Sequence, residues 1–323
     1  MRARGPRRRS PWGRRYARAH ADGAAPSAER TSATYAALDL GTNNCRLLVA
    51  RPTPDSFRVI DAFSRIIRLG EGVSQTGRLS EAAVERALEA LAICRDKMHQ
   101  RGVTRARLIA TEACRAADNG YEFVERVREA VGLELEVIDR ETEARLAATG
   151  CTPLVDPDAD GVVLFDIGGG SSELVSLALR ESGGGPPRPV IRDWASLPVG
   201  VVTLAERHGG VHVGRALFEV MVAEVADHLA TFAADNAELR ESGALHMLGT
   251  SGTVTTIAGV HLGLRRYDRR QVDGCWMTDE QISSVVELLL AMSYDERVAN
   301  ACIGSERADL VLAGCAILEA IRR

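Results

Sequence analysis

Two stretches of this chain repeat one pattern of carboxylate, glycine and small polar residues. Asp39-Leu-Gly-Thr-Asn-Asn-Cys-Arg-Leu-Leu-Val49 aligns without gaps on Asp166-Ile-Gly-Gly-Gly-Ser-Ser-Glu-Leu-Val-Ser176, 127 positions later. Each follows a short apolar run and precedes another. A glycine turn between two buried strands exposes consecutive backbone N–H groups and lets an oxyanion approach closely. Thr42, Asn43 and Asn44, and Ser171 and Ser172, add side-chain donors. An Asp closing the leading strand, Asp39 or Asp166, suits a hard divalent cation such as Mg²⁺, which is held by one or two carboxylates plus substrate phosphates. One such loop alone is ordinary turn chemistry. Two matched copies, each led by Asp, point to a duplicated phosphate clamp.

Three further groups join them. Gly249-Thr-Ser-Gly-Thr253 follows an apolar run and opens a helical stretch, where free N–H groups and the macrodipole attract anions. It lacks the GxxxxGK[ST] spacing of a P-loop. Glu141 and Glu143 stand in the first turn of another helix, where a carboxylate can take a proton from water; a glutamate there is more often simply solvated. Arg115, after the run ending at Ala110, can neutralise a transferring phosphate.

The elements that must position these residues are legible in outline. Tyr35–Asp39, Arg46–Ala50 and Phe57–Leu69 read as strands. Ser80 caps a helix running to Gln100, with Val84, Ala87, Leu88 and Leu91 at helical spacing and Gly102 as its stop. Strands at Arg107–Ala110 and Leu135–Ile138 alternate with helices at Gly120–Val131 and Glu141–Thr149. Leu154–Gly161, rich in Asp, reads as a linker. A second unit then starts with the strand Val162–Phe165, and Ser182–Pro189 reads as a loop. Leu245–Leu248 is a further strand. Helical stretches cover Gly214–Ala234, Thr278–Met292 and Glu306–Ile321, the second opening on a capping box at Thr278 and Gln281. Alternating strands and helices argue for α/β layers, and the repeat for two related domains facing across a cleft.

Bulk composition narrows the class. The chain has 323 residues, 46% hydrophobic and 26% charged, with a net charge of −4. No apolar run is long enough to span a bilayer. Residues 1–30 hold nine arginines against Asp22 and Glu29, about +7, so the rest sums to about −11. Without helical period or interleaved aromatics, residues 1–33 read as a disordered basic arm, and no specific nucleic acid is expected. Seven scattered cysteines with no CxxC pair fit neither a zinc ribbon nor a disulfide framework, and suit a cytoplasmic protein.

The chain resembles the exopolyphosphatase / guanosine pentaphosphate phosphohydrolase (Ppx/GppA) family of the actin–sugar kinase–Hsp70 superfamily. The likeness rests on both repeated loops together with Ala110-Thr-Glu-Ala-Cys-Arg115, Glu141-Thr-Glu-Ala-Arg145, Leu197-Pro-Val-Gly200, Gly249-Thr-Ser-Gly-Thr253 and Glu306-Arg-Ala-Asp309. It implies two duplicated ribonuclease-H-like (actin-like ATPase) domains with an interdomain cleft, here drawn at 34–153 and 154–323, the second lacking its last strand. It implies Glu143 as the general base, Arg115 as a charge partner for the phosphates, and Asp166, Glu173 and Asp39 as Mg²⁺ ligands. Phosphate contacts would come from Gly41, Thr42, Asn43, Asn44 and Arg46, from Gly168, Gly169, Gly170, Ser171 and Ser172, and from Gly249, Thr250, Ser251, Gly252 and Thr253.

The expected activity is release of terminal phosphate from inorganic polyphosphate or guanosine pentaphosphate, by a cytoplasmic enzyme with no membrane partner and compatible with a homodimer. Two departures from the family pattern bear on this. The first loop usually reads Gly-Ser-Asn-Ser, and Glu112 stands where Thr-Ser-Ala is usual, adding a carboxylate near the phosphate path. They keep open a non-catalytic sensor of guanosine tetra- or pentaphosphate; an ATP-dependent small-molecule kinase is the remaining alternative.

Overall fold

The computed structural model describes residues 33–323 apart from 55, 157, 183, 184 and 242–244; the basic arm lies outside them. The first sheet begins as an antiparallel meander of β1 (Tyr35–Leu40), β2 (Asn44–Thr53) and β3 (Ser56–Ile66). After helices α1 (Val73–Thr76) and α2 (Glu81–Gln100), β4 (Arg105–Ala110) returns parallel to β1. Helices α3 (Glu112–Ala116) and α4 (Gly120–Val131) lead to β5 (Glu136–Val137), giving the order β3-β2-β1-β4-β5.

Helix α5 (Arg140–Cys151) leads to the second sheet. There β6 (Gly161–Ile167), β7 (Ser172–Ser182) and β8 (Gly185–Leu197) repeat the meander. Helices α6 (Val201–His208), α7 (Arg215–Asp235) and α8 (Ala237–Glu241) precede β9 (Leu245–Thr250), which runs parallel to β6. The order β8-β7-β6-β9 is that of the first sheet, with no counterpart of β5 among the described residues. Five helices follow: α9 (Ser251–His261), α10 (Arg269–Val272), α11 (Asp279–Ala291), α12 (Tyr294–Ala299) and α13 (Val311–Arg322).

Ser80 caps α2 through its hydroxyl, which accepts from the Ala83 N–H, and Val84, Ala87, Leu88 and Leu91 pack on Leu38, Leu47 and Val49 of the sheet. Each of these buried valines and leucines contributes roughly 1.5–3 kcal/mol by leaving water. In the second half α13 is buried nearly all round, packing with Phe218 and Val222 of α7 and Phe165 and Leu174 of the sheet. Gly314 lets it close on α9, because a Cβ there would sit 2.5 Å from the Thr253 hydroxyl. The opposite face of β6 and β7 is covered by Ala144 and Ala148 of α5. That helix, placed with the first unit by a division at 153/154, therefore packs on the second sheet.

Local readings differ in three places. The segment read as a loop at Ser182–Pro189 is strand from Gly185 onward, with Pro189 opposite Leu179. It is an edge strand, where a missing proline N–H needs no partner. The last helix starts at Val311, not Glu306; the turns before it turn Asp309 and the Glu306 carbonyl toward Arg68. Helix α6 has no sequence signal, since Val201, Val202 and Thr203 favour strands. Packing holds it: Val201, Val202, Leu204 and Ala205 are buried, and the Gly200 N–H donates to Thr203 Oγ1.

Candidate active site

The duplicated hairpins place their leading aspartates at equivalent registers, Asp39 opposite Arg46 on β1–β2 and Asp166 opposite Glu173 on β6–β7. Asp166 also lies beside Thr250 of β9. Glu143 comes from the first turn of α5, whose N-terminus is capped by Asp139 accepting from the Thr142 N–H. The neighbouring Glu141 points outward to Arg145 at 2.7 Å. Of the two glutamates, only Glu143 joins the carboxylates of the hairpins.

Arg115 orients it. Its Nη2 donates to Glu143 Oε2 at 2.7 Å, while Nη1 donates to the Ile138 carbonyl at 2.6 Å. Burial raises the Glu143 carboxyl above its ordinary range; Arg115 opposes this, and the charges of Asp166 and Glu112 add to it. Asp39 and Asp166 are likewise raised by burial and offset by Arg46, which serves both. Burial, reinforced by Glu143 and Asp166, pushes Glu173 up to about 8, although the Ser171 and Ser196 hydroxyls donate to its Oε1. Four acidic groups thus share one field with too little positive charge, the condition that perturbs titration at functional sites.

Among the described residues no three acidic, histidine or cysteine side chains converge closely enough to enclose a cation. The donor set nevertheless fits Mg²⁺, which asks for hard oxygens and takes only one or two carboxylates from the protein. The mutual repulsion of Asp39, Asp166 and Glu173 is what such an ion relieves.

Beside this cluster lies a cavity lined by all three loops: Asn43 and Asn44, Gly168 and Gly169, and Ser251 to Thr253. Asn43 Oδ1 is buried without a hydrogen-bond partner among the described residues. Arg307, unremarked in the sequence except as part of Glu306-Arg-Ala-Asp309, also lines it. It donates to Thr256 Oγ1 at 3.3 Å, and no carboxylate stands within ion-pair reach among the described residues. Burial and the nearby charge of Arg46 lower its pKa. A half-buried cation facing a lining of loop amides is suited to an anionic guest.

The other loop residues sit elsewhere. Ser172 donates to the Val199 carbonyl and Ser171 to Glu173. Gly249 packs on Phe165, and Gly41 closes its turn by donating to the Asn44 carbonyl. Gly170 and Gly169 press against the first loop: a Cβ on Gly170 would lie 2.7 Å from Thr42 Oγ1, and one on Gly169 3.0 Å from Thr42 Cβ. The halves are therefore in contact across the cleft. Arg68, at a left-handed φ of 47°, pairs in bidentate fashion with Asp309 at 2.9 Å, and Glu206 accepts from the Gly72 N–H at 2.7 Å and from Ser74 Oγ.

A profile of the Ppx/GppA phosphatase family, matching residues 48–323, decides the kinship. The chain belongs to that family. It is 31% identical to an exopolyphosphatase-like protein of known structure, covering 89% of this chain and 88% of that one at a TM-score of 0.79. The Aquifex aeolicus PPX-GPPA enzyme is 29% identical, with 89% and 91% covered and a TM-score of 0.71. An exopolyphosphatase from Cytophaga hutchinsonii shares the fold at 23% identity, 89% of each chain and a TM-score of 0.78. The α/β architecture of two related actin-like halves and the phosphohydrolase class stand on this kinship. Among the described residues no helix is long and apolar enough to cross a membrane, and the seven cysteines are free thiols.

Proposed function

We propose that this Ppx/GppA phosphatase releases terminal phosphate from inorganic polyphosphate or guanosine pentaphosphate in the cytoplasm, using water activated by Glu143. The observation that carries the reading is the Glu143 carboxylate, held by Arg115 at 2.7 Å and within the field of Asp166, whose loop lines a cavity together with the other two loops and Arg307. Glu143 accepts the proton of the attacking water; its raised affinity for a proton makes it a better base than a free glutamate. Arg115 keeps the carboxylate aimed. Loop amides and Arg307 take up charge on the equatorial oxygens during in-line displacement, where positioning and electrostatics supply most of the catalysis. One or two of Asp39, Asp166 and Glu173 would hold Mg²⁺, which when bound supplies charge neutralisation at the phosphates.

The test is phosphate release with Mg²⁺ from short polyphosphate, long polyphosphate and guanosine pentaphosphate by the full chain. Absence of release from all three overturns the reading. Binding without turnover, a sensor, is favoured by one observation: Arg115 already donates to Glu112, Glu143 and the Ile138 carbonyl. Tight binding of guanosine pentaphosphate with no released phosphate would decide for it.

A further inference from the structure

Glu112, the first residue of α3, is a buried carboxylate wedged between two arginines. Arg115 donates to its Oε2 from Nε at 3.1 Å and Nη2 at 2.8 Å. Arg140 donates from Nη2 to Oε1 at 2.7 Å and from Nε to Oε2 at 3.2 Å. This fork-on-carboxylate geometry is the one guanidinium groups also offer to a phosphoryl group. The stem of Glu112 lies against the second glycine loop, since a Cβ on Gly170 would meet Glu112 Cγ at 3.1 Å. The carboxylate therefore stands beside a loop of the phosphate clamp, on the arginine that orients Glu143.

Charge bookkeeping makes the arrangement specific. Arg115 and Arg140 are balanced by Glu112 and Glu143, so the group as built is neutral. Without the Glu112 charge it carries one net positive charge with open donors on both guanidiniums.

We propose that Glu112 is a specificity-determining residue whose carboxylate fills, from within, a two-arginine subsite that would otherwise take a phosphoryl group of the substrate chain. The inference rests on the phosphohydrolase reading of the cleft for its ligand class. The internal anion shortens the stretch of phosphates the cleft grips, and favours substrates that do not reach Arg140.

The probe is inorganic tripolyphosphate, titrated calorimetrically into the full chain in EDTA so that no turnover occurs. Glu112→Gln keeps the shape against Gly170 and removes the charge; it is expected to bind about tenfold more tightly than wild type, the lower range for one hydrogen bond to a charged group. Adding Arg140→Gln should abolish the gain. Should the glutamine variant fail to fold, Glu112→Ala carries the same comparison. Unchanged or weaker binding, or a gain that survives loss of Arg140, overturns the proposal. In parallel, KM for long-chain polyphosphate should fall in Glu112→Gln more than kcat changes. An Arg140-dependent gain in binding with no phosphate release by any form would sink the hydrolase reading and leave the subsite standing. Release with no gain would do the reverse.

Discussion

Asp39 faces Arg46 across the first hairpin at the register that Asp166 and Glu173 occupy in the second. The duplicated scaffold thus carries an opposite-charge pair on one side of the cleft and a like-charge pair on the other. Arg46 serves both, because its charge holds down the pKa of Asp39 and of Asp166.

Removing that cation has a defined sign. In Arg46→Gln the two aspartates bind protons more readily, so the pH at which they ionise rises. The acid limb of the pH–rate profile for phosphate release should move to higher pH. A limb that stays in place, or moves down, shows that Arg46 does not set their ionisation.

Glu143→Gln keeps the hydrogen bond from Arg115 in outline but cannot accept a proton from water. Its kcat should fall by about 10²–10⁴, the usual share of a general base. Glu141→Gln alters an exposed partner of Arg145 and should stay within about twofold of wild type, as surface changes do. Steady-state phosphate release distinguishes them, and equal rates for Glu143→Gln and wild type remove Glu143 from the role.

The Arg68–Asp309 pair joins the two halves and is only about a quarter exposed on either side chain. A bidentate, partly shielded pair should show a coupling of about 1–2 kcal/mol. A double-mutant cycle of Arg68→Ala and Asp309→Ala in urea unfolding measures it, and additive losses would mean that the contact does not stabilise the closed arrangement.

His246 stacks on Trp276 at 4.5 Å, and its Nδ1 accepts from the Asp156 N–H at 3.2 Å. Burial lowers its pKa. The unfolded chain therefore binds this proton more readily than the folded one, and stability should drop as pH falls through about 6.5, the ordinary histidine value. Thermal melts between pH 8 and 5 should show a steeper loss for wild type than for His246→Gln. Parallel slopes would assign the loss to other groups.

Much of the fold was legible because its punctuation is local. The Ser80 cap, the Thr278–Gln281 capping box and the apolar runs before Asp39 and Asp166 need only near neighbours. The repeat itself announced the duplicated hairpin. What escaped depends on distant partners. Arg307 lies in a run with helical spacing, and only the folding of the preceding turns brings it into the cavity. Helix α6 opposes the preferences of Val201 and Val202, and is held by a core assembled from elements far away in sequence. Residues that look alike in the sequence also separate by contact. Asn43 and Asn44 line the cavity, whereas Ser171 and Ser172 spend their hydroxyls on Glu173 and the Val199 carbonyl.

Helix α5 adds a last consequence. It follows the last strand of the first sheet, yet Ala144 and Ala148 seat it on the second. Glu143 consequently rides with one half of the molecule, while Arg115, on α3 after β4, rides with the other. Should the halves part, the carboxylate leaves its guanidinium and loses its aim. For the proposed mechanism this amounts to a two-key lock: proton abstraction by Glu143 would require both halves to be in contact.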